Sequence, residues 1–140
     1  MTIWQPNITL NAMNERGRNS LSDHIGIIFT ELGKDFLKAT MPVNDHTRQP
    51  IGILHGGANV VLAETLASTA ANAVVNLKTH YCVGLEINAN HLRATKEGLV
   101  TGTAQPIHLG KSTQIWQILI ENEKQQMTCI SRMTAAVLKR

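Results

Sequence analysis

GANVVLAETLASTAANAVVNL, residues 57–77, is the stretch whose reading decides the fold. It is rich in Ala, Leu and Val, contains no Pro, and exceeds the length of an ordinary strand, which predicts one long helix. Working outward, His24–Leu32 and Phe36–Val43 read as strands joined by a reversal at Gly33-Lys34-Asp35. Pro42 suggests an edge position or a strand end. Upstream, Ile8 to Asn14 suits a short helix, with Ser20, Ser22 and Asp23 as turn residues after it. Downstream, Val83–Arg93, Gly98–Pro106, Thr113–Glu121 and Met127–Leu138 are four extended segments, with a turn at Asn122-Glu123-Lys124. Two strands, one long helix and four strands make an α+β layout, an antiparallel sheet packed around a central helix. No repeat or linker-like stretch interrupts it, so residues 1–140 are expected to form a single domain.

Composition narrows the function classes. An apolar fraction of 43% with 16% charge suits a folded chain with one core. Aromatics are only 4%, so aliphatic side chains must build that core, and Trp116 is expected within it. The net charge of +3 is spread without a basic stripe, which argues against a nucleic-acid partner. Cys82 and Cys129 lack metal-like spacing and read as buried free thiols in a reducing cytosol. Six histidines without an HExxH pattern or Cys partners predict no metal site, and His24, His46 and His80 take no role. No apolar run nears the roughly 20 residues of a membrane span. The N-terminus lacks the basic-then-apolar plan of a secretory leader. A cytoplasmic protein with no membrane partner is the expectation.

Between Arg48 and Lys78 there is one formally charged residue, Glu64, in the middle of the apolar helix. Burying a carboxylate without compensation costs several kcal/mol, on the order of what a buried ion pair must recover. Function competes here with a structural ion pair to Arg48 or Arg93, and the rarity of isolated buried carboxylates favours function. Ahead of the helix stands His55-Gly56-Gly57, where the absence of Cβ atoms lets a ligand reach first-turn N–H groups at the positive end of the helix dipole. Such donors suit a developing oxyanion. Gly57 and Glu64 are separated by about 10 Å of helix, too far for one reacting atom. A second copy with an antiparallel helix would bring Glu64 to its neighbour's Gly56, which predicts a site shared across a homodimer. Ser68, one turn beyond Glu64, is placed to hydrogen-bond that carboxylate or simply to pack.

Gln49-Pro50-Ile51-Gly52-Ile53-Leu54-His55-Gly56-Gly57 with Leu62-Ala63-Glu64 resembles the hotdog-fold thioesterases. Val83 to Arg93, Pro106 to Lys111 and Ser131-Arg132-Met133-Thr134 extend the likeness, which runs from about Leu10 to Leu138. Within that family it is similar to the branch acting on aromatic acyl-CoA, which serves menaquinone and enterobactin synthesis. The resemblance implies a sheet wrapped around the helix and dimers paired into tetramers. It also implies an acyl-CoA or carrier-protein thioester as substrate, with no cofactor beyond the coenzyme A of the substrate. Glu64 would be nucleophile or general base, Gly56 N–H would bind the oxyanion, and Gln49 would hold the thioester or the water. His55 and His91 would shape the acyl pocket, and Ser68 would lie beside the acyl ring. Gly84, His91, Leu92 and Arg93 match segments lining the CoA channel. His108, Leu109, Gly110, Lys111 and Ser112 match the loop over the nucleotide, with Lys111 toward phosphate. Two rivals remain at this stage: a hotdog dehydratase or hydratase pairing His55 with Glu64, and a non-catalytic acyl-CoA binding module.

Overall fold

The computed structural model describes residues 1–140. The chain runs α1 (Leu10–Arg16), α2 (Leu21–His24), β1 (Ile28–Leu32), β2 (Leu37–Pro42), α3 (Gly56–Val74), β3 (His80–His91), β4 (Leu99–Leu109), β5 (Thr113–Glu121) and β6 (Met127–Lys139). All strand pairs are antiparallel, in the order β1-β2-β4-β5-β6-β3, so β1 and β3 form the edges. The expected order of strands around one long helix is what the structure shows.

The α3 helix lies on one face of this sheet, where side chains alternate in and out with period two. Trp116, Ile118 and Ile120 of β5 point inward and are fully buried, as are Leu37, Ala39 and Met41 of β2. Against them α3 presents Leu62, Ala63, Leu66, Ala67, Ala70 and Ala71, none of which is exposed. The small residues let helix and sheet approach closely: a Cβ on Gly102 of β4 would lie 2.5 Å from Leu66 Cδ1. Trp116 stacks on Trp4 at 6.2 Å and donates from Nε1 to Gln114 Oε1, so Trp116 lies in the core as expected, with Trp4 beside it. Cys82 and Cys129 are buried and unpaired. No helix is long and apolar enough to cross a membrane.

Several boundaries differ from the sequence reading. The expected helix at Ile8–Asn14 is shifted to Leu10–Arg16, because Thr9 caps it by accepting from Ala12 N–H. The strand expected from His24 begins only at Ile28. Leu21–His24 form a helical turn instead, and Gly26 takes φ +80 to redirect the chain. Pro42 does end β2, but β2 is interior, between β1 and β4. The helix expected to reach Leu77 stops at Val74, where Val75 turns extended and Asn76 accepts from the N–H groups of Lys78, Thr79 and His80. Extended structure then starts at His80, before the expected Val83, and closes at His91. Pro106 does not end β4; a register shift between Pro106 and His108 carries the strand on to Leu109. A bulge tolerates proline because the ladder is already interrupted there.

Candidate active site

Glu64 projects from the middle of α3, half-buried, and takes part in no ion pair. The alternative partners are occupied or distant: Arg48 bonds Asp45 and the Lys96 carbonyl, and Arg93 is exposed and unpaired. Ser68 Oγ donates to Glu64 Oε1 at 3.5 Å. Burial raises the Glu64 pKa above the usual glutamate value, and the Ser68 hydroxyl opposes part of that rise. The carboxylate lies against the backbone of β3 at Gly84, where an added Cβ would overlap Oε1. Full burial, as the apolar helix suggested, is not reached: one flank of α3 is left uncovered by the sheet.

A cavity of about 410 Å³ opens between α1 and α3, reaching Ser68, the hydrogen-bond partner of this carboxylate, but not Glu64 itself. Thr65, Ser68 and Asn72 form its α3 wall, and Ala12, Met13 and Phe29 supply apolar surface opposite. The α1 contribution was not legible, because nothing in residues 10–16 marks a ligand wall.

At the start of α3 a second cleft, of about 300 Å³, gathers Gln49, Gly56, Asn59, His91, Leu92 and Arg93. Its construction follows from the loop before the helix. His55 is the N-cap, and its Nδ1 accepts from Gly57 N–H at 2.8 Å. That leaves Gly56 N–H without a partner in the chain, at the positive end of the helix. The His91 ring lies over Gly56, with Nε2 2.9 Å from where a Cβ would stand. Asn59 Oδ1 and Thr95 Oγ1, both buried, have no hydrogen-bond partner. Neither was singled out from sequence, although a polar Asn59 within an apolar helix turn was a visible signal.

The sequence-derived candidates therefore fall into two groups. Gln49, Gly56, His91, Leu92 and Arg93 converge at the α3 N-terminus, while Glu64, Ser68 and Gly84 converge two turns along. Gly56 and Glu64 stand eight residues apart, about 12 Å of helix. His55 does not meet Glu64 within the chain; its Nδ1 is spent on the cap. Gly84 sits against the carboxylate, away from the His91 end of β3. His108, Leu109, Gly110, Lys111 and Ser112 occupy the end of β4 and the turn into β5. That turn lies on the Gly84 side, since Gln114 faces Ala135 and Ala135 faces Gly84.

A six-stranded antiparallel sheet curled around one long helix, with a lone carboxylate at mid-helix, is the hotdog class of fold. Residues 51–129 match the family described as the thioesterase superfamily. The 1,4-dihydroxy-2-naphthoyl-CoA hydrolase of Escherichia coli K12 is 48% identical over 136 residues, covering 97% of this chain and 99% of that protein. The proofreading thioesterase EntH of Cronobacter sakazakii is 45% identical, covering 97% and 98%. Among solved structures, a mutant thioesterase from Pseudomonas aeruginosa superposes with a TM-score of 0.98 at 43% identity, covering 99% of this chain and all of that one. The chain belongs to the thioesterase superfamily and is a thioester hydrolase.

Proposed function

We propose that this enzyme hydrolyses an aromatic acyl-CoA thioester, with Glu64 of one copy acting on a carbonyl held at Gly56 of another. Glu64 carries the reading. It is the only carboxylate on α3, has no counter-ion, and is shifted toward the neutral form by burial while one hydroxyl holds it in place. Uncompensated carboxylates of this kind cluster at sites of proton transfer and nucleophilic attack.

The thioester oxygen accepts from the free Gly56 N–H, so charge developing on it meets a fixed dipole at the helix start. Glu64, as nucleophile or as general base toward water, supplies attack on the carbonyl carbon. Collapse of the tetrahedral intermediate expels the thiolate, which takes a proton and leaves as free CoA. With water as the attacking group this gives the free acid directly and Glu64 passes on the proton it took; attack by Glu64 itself leaves an acyl–glutamyl anhydride, which water then hydrolyses to the free acid and the restored carboxylate. Gln49, in the same cleft as Gly56, positions the thioester or the water. A thioester is already activated, so these groups suffice without a redox cofactor.

Two features support a shared site. The 12 Å between Gly56 and Glu64 forbids one chain from supplying both parts. Strand β3 is also an open edge of 12 residues carrying exposed Val83 and Leu85, the kind of edge that pairs with a second copy. Pairing through β3 makes the dimer, and further pairing into a tetramer follows the family pattern. An aromatic acyl group is favoured by the cavity that opens at Ser68, whose wall combines Met13 and Phe29 with the polar Thr65, Ser68 and Asn72. That mixture suits a hydroxylated ring better than a long aliphatic chain, in keeping with the name of the Escherichia coli relative. Lys111, exposed and unpaired on the β4–β5 turn, is available to the nucleotide phosphates.

Thiol release from hydroxybenzoyl-CoA, hydroxynaphthoyl-CoA and straight-chain acyl-CoA is the test, with Glu64→Gln alongside. The expected result is preference for the aromatic thioesters and a fall in kcat of about a hundredfold or more for the variant. Undiminished turnover by Glu64→Gln would remove the proposal.

A further inference from the structure

One side chain in the Gly56 cleft is used by none of these steps. Asn59 lies in the first turns of α3, only 5% exposed. Its Nδ2 is 3.4 Å from His91 Nδ1, and its Oδ1 has no partner at all. A buried carbonyl left unpaired costs about 1–3 kcal/mol, and asparagine is a poor helix former besides. An alanine or leucine here would serve packing better, so the amide is retained against stability.

Its geometry indicates what it does. With its amide nitrogen on this side, Asn59 donates to His91 Nδ1, an arrangement that places the proton of the neutral ring on Nε2. That Nε2 is the atom facing Gly56, and nothing in the chain accepts from it. Gly56, whose N–H has no partner in the chain, lines the same cleft. Two donors lining one small cleft can serve a single oxygen atom. We infer that Asn59 is a positioning residue that fixes His91 as the Nε2–H tautomer, making His91 the second hydrogen-bond donor to the thioester oxygen beside Gly56 N–H. The inference rests on the reading of Gly56 as the oxyanion donor, and adds the partner donor and the residue that orients it.

The test compares Asn59→Leu, His91→Ala and the double variant with Glu64→Gln as reference, using benzoyl-CoA as the probe. Losing one oxyanion donor is worth roughly a hundredfold in kcat, so His91→Ala is expected to fall by about that factor. Asn59→Leu should lose about tenfold, since the ring stays but its orientation is freed; KM should hold within twofold, and Tm should not fall. The double variant should be no slower than His91→Ala, because Asn59 acts only through that ring. In the ¹⁵N spectrum of the wild-type protein, the His91 ring identified by its loss in His91→Ala should show a bare Nδ1 and a protonated Nε2. A proton on Nδ1 overturns the inference. So does a double variant slower than His91→Ala by the full tenfold, which would mark Asn59 as independent of the ring. If Glu64→Gln is inactive while Asn59→Leu and His91→Ala both stay within twofold of wild type, this inference alone fails. If Glu64→Gln keeps full turnover, the underlying reading fails with it.

Discussion

Replacing Gly84 by alanine adds one methyl group at the place where β3 touches the carboxylate. Gly84 does not sit in the left-handed region, so its backbone accepts a side chain without strain. The added Cβ would overlap Glu64 Oε1 and lie 3.4 Å from Cδ. Restoring an ordinary carbon–oxygen contact requires the carboxylate oxygen to withdraw by about 1 Å. It is the tip of a flexible side chain, so the fold loses little, but the oxygen leaves its place beside Ser68. A misplacement of that size in a reacting group costs on the order of a hundredfold in rate. Steady-state thiol release from an aromatic acyl-CoA should therefore show kcat lowered about a hundredfold, while Tm moves by no more than a few degrees. A Gly84→Ala enzyme with unchanged Tm and kcat within twofold of wild type would refute the placement of Glu64 as the reacting group.

Two further outcomes follow from the shifted titration of the same carboxylate. Hydrolysis needs Glu64 ionised, so kcat/KM should fall as pH drops through its raised pKa; Ser68→Ala removes the hydrogen bond that opposes the rise, and the acid limb of the pH profile should move to higher pH. Because the folded pKa is raised, the folded protein holds more protons than the unfolded one between the two values, and stability declines as pH climbs through that window. Glu64→Gln removes that decline, so its Tm should exceed wild type at neutral pH and converge with it in acid, below the ordinary glutamate value.

What the sequence made legible follows from where local signals are strong. The Ala-rich, Pro-free run around Glu64 is too long for a strand and Thr113–Glu121 is dense in β-favouring residues; the helix forms with its end three residues short of the expected Leu77, and the strand forms where expected. Glu64 was visible because a lone charge in an apolar helix has no ordinary reason to be there. Less legible were the places where tertiary contacts decide. His24–Ile27 has strand-like composition, yet a helical turn and Gly26 at φ +80 take it out of the sheet. Asn76 was a stop signal outweighed by the apolar run before it: its side chain and carbonyl accept the next N–H groups and end the helix short of Leu77. His91 joining Gly56 is a contact between residues 35 apart, set by β3 running back past the start of α3, and no local pattern encodes it. The same holds for Asn59, whose importance appears only once His91 is beside it.

Whether one catalytic centre draws on two chains can be read by mixing variants that are each inactive alone. Glu64→Gln and Gly56→Ala, unfolded together and refolded at equal ratio, form hybrids in which one of the two centres joins an intact Glu64 to an intact Gly56 of the other chain. About a quarter of wild-type turnover should return, half the dimers being hybrid with one good centre each. Turnover that stays at the level of the separate variants, in a sample shown to contain hybrids, would contradict the shared site.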